Sequence, residues 1–300
     1  MKKENINLWS LALLSLALLV AKPSAAGEGT FGWVYTLDLQ PKGSWEIEQK
    51  LDLTTGQAAG TYNLWKSRTG IEYGITDNLQ LTGYLNAFSV QANKNSINCE
   101  GSKKRCTSGF PVPGYASNHS YKNTEVDGAS AELIWRLTNP VTSPIGVGLY
   151  LEPTLGKTED SIEARLLLQS NFLDDRLIFA VNLIAESAKV KFDPSETTYE
   201  SMFDIRYGVS YRFQSNWFAG VEGRFHNDFD GASFGRQTQR ANFIGPNLHY
   251  ANQDFWVTAA WLYQIGGTCW EPGAAECSGG KVWDSHGKNQ FIVKVGFPLL

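Results

Sequence analysis

The sequence is poor in the features that mark a soluble enzyme or a nucleic-acid-binding protein. Its 300 residues include four cysteines and four histidines, and the formal net charge is −4. No basic excess argues for a nucleic-acid partner. No G-x-S-x-G elbow positions a nucleophilic serine. After the first few dozen residues nothing repeats at the helical period, and no run approaches the ~20 apolar residues that a membrane-spanning helix needs. That last absence does not exclude a membrane, because transmembrane barrels hide their hydrophobicity by alternating it.

The one long apolar run is at the start. Lys2 and Lys3 precede an uninterrupted apolar and small stretch from Leu8 to Val20, and Lys22-Pro23 ends any helix there. Ser24-Ala25-Ala26 supplies the small residues of a cleavage site. The pattern is that of a secretory signal peptide over residues 1–26. Export places Cys99, Cys106, Cys269 and Cys277 in an oxidising compartment, where pairing is expected. Cys99–Cys106 and Cys269–Cys277 each close a short loop. Neither pair has the C-x2–4-C spacing of a zinc knuckle with histidines beside it, so neither a metal nor a cofactor is expected.

The alternation itself is persistent. In Ile71–Leu85, Ile71, Tyr73 and Ile75 precede Thr76-Asp77-Asn78, and Leu79, Leu81, Gly83 and Leu85 resume on every second residue. Two strands joined by a tight turn are predicted. The same beat runs to the C-terminus and yields twelve strands between Ser44 and Pro298. Short links at 75–78, 138–144, 171–176, 214–216 and 251–254 alternate with longer ones at 54–62, 90–123, 153–160, 187–197, 227–240 and 265–288. Short turns on one side and long loops on the other predict an all-β fold: an antiparallel, up-and-down transmembrane β-barrel occupying residues 44–300. Even strand parity leaves residues 27–43, with their own alternation in Gly32–Gln40, as a periplasmic lead-in or a piece tucked into the barrel mouth.

The two strand faces differ in kind. One carries almost no charge, and its aromatics Tyr73, Trp135, Phe213, Trp217, Tyr250 and Phe255 gather near the short turns, as interfacial girdles do. The other carries about twenty charges of both signs, more than a dry core could hold. These charges either line a solute path or pair across the lumen to prop the wall, and the near-balance of signs favours pairing for most. The candidate lumen-lining residues near mid-strand are Arg68, Glu132, Arg136, Arg165, Asp204, Arg206, Glu222 and Arg224. His119 and His286 fall in long loops, His226 ends a strand, and His249 points inward near the short turns. No serine, histidine and acid converge at the outer rim, so catalysis is not expected.

"YGITDNLQL", "FIGPNLHY" and the closing "FIVKVGFPLL" resemble Gram-negative outer-membrane proteins grouped with the phenol-degradation meta-pathway. "YTLDLQPKGSWEIEQ" is similar to the lead-in of uncharacterised relatives of that group. The resemblance implies an outer-membrane, transporter-like barrel and carries over no binding residue. One departure is the C-terminus, which continues past Phe297 as Pro298-Leu299-Leu300. The sequence thus points to an exported channel for small solutes. Its expected partners are outer-membrane lipid, an unidentified solute and the barrel-assembly machinery. The basic stretch of Cys99–Cys106 reads as a solvated loop by default, or as a constriction folded into the lumen or a ligand-gripping loop. The alternatives to a channel are a closed structural or surface-binding barrel working through loops 90–123 and 265–288, and a lipid-modifying enzyme.

Overall fold

The computed structural model describes residues 29–96, 109–110, 119–193, 196–270, 277–283 and 286–299. The expected signal peptide and the Cys99–Cys106 pair lie outside these. The strands are β1 (Trp45–Thr55), β2 (Thr61–Thr76), β3 (Leu79–Asn93), β4 (Tyr121–Thr138), β5 (Gly146–Gly156), β6 (Glu159–Phe172), β7 (Leu177–Asp193), β8 (Glu196–Gln214), β9 (Trp217–Asp230), β10 (Gln237–Ala251), β11 (Trp256–Cys269), the two-residue β12 (Cys277–Ser278) and β13 (Lys281–Val282), and β14 (Asn289–Leu299). β12 and β13 pair only with each other. The other twelve form one closed barrel in which β14 returns to β1, from Trp45 opposite Leu299 to Thr55 opposite Asn289. Closure leaves no unpaired edge, the condition for a sheet in hydrocarbon. No helix occurs among the described residues.

The period-two pattern sorts the side chains as the sequence implies. On the β2–β3 hairpin Ile71 and Leu81 are 50% and 43% exposed, while Glu72 and Gln80 are fully buried inside. Trp45 packs on Tyr73 at 4.3 Å, Trp217 on Tyr250 at 4.8 Å, and Phe255 bridges Tyr250 and Phe297. These ring pairs sit at the short-turn rim. A charge placed in the outer belt between the rims is expensive: Leu151→Arg on β5 is expected to cost about 2–4 kcal/mol, read as a lowered urea midpoint at unchanged slope.

The loops are shorter than the alternation suggests. Residues 157–158 alone link β5 to β6, and 231–236 link β9 to β10. Strand pairing continues past the apolar belt, where outward residues become polar and the alternation fades although the backbone ladder does not. In the two long connections, 94–120 and 270–288, some of the described residues pack into the barrel. Phe110 is buried against Phe88, its N–H donates to the Tyr62 hydroxyl at 3.0 Å, and its carbonyl accepts from Tyr121. A disulfide joins Cys269 to Cys277. Beyond it Val282 packs on Ala241, Phe243 and Leu262, with the Gln264 amide holding Val282 and Gly287 by their backbones.

Candidate functional site: an internal segment and its chamber

Residues 29–43 form no strand. They enter at the short-turn end, rise to mid-lumen and return. The Gly29 carbonyl accepts from Thr258, whose hydroxyl also meets His249 at 2.7 Å. The segment bends at Thr30, Gly32, Trp33 and Leu37, and side chains of the barrel wall satisfy its backbone where another strand's backbone would. Glu222 accepts from the N–H groups of Gly32 and Trp33, both at 2.8 Å. Asn182 both accepts from Tyr35 N–H (2.7 Å) and donates to Tyr35 C=O (2.9 Å). Gln169 accepts from Leu37 (2.6 Å) and Gln80 from Gln40 (2.7 Å). The contacts pass from β9 through β7 and β6 to β3, so the segment sweeps around the inner wall.

Its side chains pack against the inner wall. Phe31 and Val34 pack with Ile178 and Ala180, and Tyr35, Leu37 and Leu39 with Ile134, Tyr150 and Leu167. Two inward glycines make room: a Cβ on Gly208 would lie 2.5 Å from the Phe31 ring, and one on Gly148 would lie 2.5 Å from Leu37 Cδ2. At the exit the Gly43 N–H bonds Gly74 C=O at 2.7 Å, and the chain turns into β1. Trp33 packs against the Phe243–Leu262–Val282 cluster and donates its indole N–H to Asp52 at 2.9 Å. The segment and the loop before β14 therefore meet inside the barrel.

Above the segment lies a partly open cavity of about 460 Å3. Its floor is a polar network centred on Tyr35, whose hydroxyl donates to Glu132 (3.0 Å) and accepts from Lys50 (2.8 Å). Lys50 also reaches Tyr84 at 2.8 Å and Glu48 at 2.9 Å. Arg165 pairs with Glu163 at 2.6 Å and stacks between the Tyr35 and Tyr150 rings, 4.4 Å from each centroid. Across the chamber Asp204 receives Arg206 (3.1 Å) and Arg224 (2.7 Å), with His226 Nδ1 2.6 Å away.

The eight candidate residues fall into two groups. Arg68, Arg165, Arg206 and Arg224 line the cavity. Arg68 pairs there with Glu152 and lies 4.1 Å over the Tyr84 ring. Glu132, Arg136 and Glu222 instead grip the segment, Arg136 through the Leu37 carbonyl at 3.0 Å. Asp204 sits fully buried behind the cations it neutralises. Sequence reasoning missed the grip of Asn182, Gln169 and Gln80, and it left His226, Asp228 and His286 apart although all three face the chamber. One signal was present. Ile134, Leu167, Ile178 and Ala180 are inward positions on neighbouring strands that carry apolar residues among polar and charged ones, which implies something apolar lying against them.

These features define a closed transmembrane β-barrel with an internal segment and a charged chamber. The chain belongs to a family of unknown function, DUF6662, whose model matches residues 23–299. That family, rather than the phenol-degradation group, is what the comparison returns. Among solved structures the fold is similar to the COG4313 outer membrane channel from Pseudomonas putida F1, at 10% identity over 86% of this chain and 96% of that one, with a TM-score of 0.54. It is also similar to the NanC porin, at 9% identity over 84% and 100% of the respective chains, with a TM-score of 0.50. At such identities the likeness concerns the fold. No curated protein matches the sequence.

Proposed function

We propose that this protein is an exported outer-membrane channel for small polar or charged solutes, closed at rest by residues 29–43. The observation that carries this reading is how the segment is held. Every wall group that grips its backbone between Gly32 and Gln40 is a side chain, so the segment can leave while the strand ladder stays whole. The chamber supports the same reading, because it presents Arg68, Arg165, Arg206 and Arg224 interspersed with acids around the wall, as charged pore linings do. Lipid of the outer membrane and the barrel-assembly machinery are the partners this implies, and no catalytic step is part of it.

The tight apolar fit of Phe31, Val34 and Leu37 favours a second reading, a permanently closed barrel whose chamber only binds. Liposome swelling separates the two. Folded protein in liposomes is expected to admit small solutes slowly, and faster once residues 29–40 are removed. Liposomes that stay impermeable with both chains, each shown folded by heat-modifiable gel mobility, would leave only the closed barrel.

A further inference from the structure

Three ligand atoms suited to a transition metal meet in the chamber wall. His226 and Asp228 lie two residues apart on β9 and so point to the same side, and His286 reaches them from the loop before β14. The Nε2 atoms of both histidines approach the same Asp228 Oδ2, at 2.7 and 3.2 Å. All three ligand atoms fall within 4.8 Å of one another. The imidazoles pack edge to face at 4.2 Å between centroids, and both are largely buried.

The surroundings are those of a supported metal ligand. His226 Nδ1 is 2.6 Å from Asp204 Oδ1, and Arg206 and Arg224 hold that carboxylate. A proton on Nδ1 directed at Asp204 leaves the lone pair at Nε2, the arrangement by which an outer carboxylate orients a metal-binding histidine. Gln239 donates to Asp228 at 2.7 Å and fixes the second ligand. Arg224 Nη2 also lies 2.6 Å from His226 Nδ1. A divalent cation seated between the two Nε2 atoms and Asp228 Oδ2 would be bonded by all three ligands at once. Eight carboxylates and six lysine and arginine side chains line the cavity around the cluster.

We propose that His226, Asp228 and His286 bind a divalent transition metal of the zinc class inside the lumen, with a fourth position facing the chamber. Two imidazoles and one carboxylate suit zinc, nickel or copper; magnesium and calcium prefer all-oxygen sets. The site ties the 270–288 connection to β9 and needs no solute transport to exist. The test is zinc titration of the detergent-folded mature chain against a chromophoric chelator. One zinc per chain is expected, uncontested by excess magnesium. Asp228→Asn and His286→Gln should each weaken binding by at least the roughly 10–100-fold that loss of an outer-shell partner costs, while His119→Gln leaves it unchanged. Absence of binding, binding that survives both substitutions, or binding that follows His119 overturns the proposal. X-ray absorption on the zinc-loaded wild-type chain decides independently of how the variants fold: mixed imidazole and carboxylate ligation is expected, and a shell without imidazole contradicts it.

Discussion

Asp204→Ala is expected to destabilise the barrel by about 3–5 kcal/mol, the range found when one partner of a buried ionic group is removed. Asp204 is fully buried and neutralises Arg206 and Arg224 at once, with His226 on its other oxygen. Removal leaves two guanidiniums facing each other across neighbouring strands, since Arg206 and Arg224 are register partners on β8 and β9. The penalty comes mostly from those stranded charges. The double substitution Asp204→Ala with Arg224→Met should therefore recover part of the loss. Urea unfolding followed by tryptophan fluorescence reads both, with the midpoint falling in the single variant and rising again in the double. Equal losses in both would mean that packing, and not charge, sets the cost.

Glu222→Ala is expected to loosen the internal segment far more than it affects the wall. The carboxylate accepts two backbone N–H groups, from Gly32 and Trp33. Hydrogen bonds to charged groups contribute about 1.5–3 kcal/mol each, and removal also relieves the wall of a buried acid. A net shift of about 3 kcal/mol against the docked segment raises the population of the released form by roughly a hundredfold. Gly208→Val tests the same point without touching charge, because its Cβ would overlap the Phe31 ring. Both variants should increase open time in planar bilayers while heat-modifiable mobility stays normal. An increase with Glu222→Ala alone would trace the effect to lumen electrostatics instead of release.

The barrel was legible because lipid and lumen impose opposite demands on alternate residues over many strands. Ile71 against Glu72 and Leu81 against Gln80 are local statements of that rule, and the structure repeats them. Loop lengths were less legible: once β7 and β8 leave the belt, nothing obliges outward residues to be apolar, yet Val190 and Thr198 still pair. The grip on residues 29–43 was hidden for a different reason. Asn182, Gln169 and Gln80 read as ordinary inward polar residues, and only the closed barrel brings β3, β6, β7 and β9 around one internal segment. The same applies to His286, which lies 58 residues from Asp228 and meets it only through the fold of the last long connection. What the sequence did display, without its meaning being evident, was the alternation of Gly32–Gln40: a segment that pairs with side chains instead of strands.

The central claim is that residues 29–43 close a lumen which otherwise conducts. Single-molecule current in a planar bilayer, recorded for the intact mature chain and for a chain lacking residues 29–40, tests it most directly. The expected result is a long-lived open conductance in the shortened chain and only brief openings in the intact one. Identical current traces from the two folded chains would contradict it.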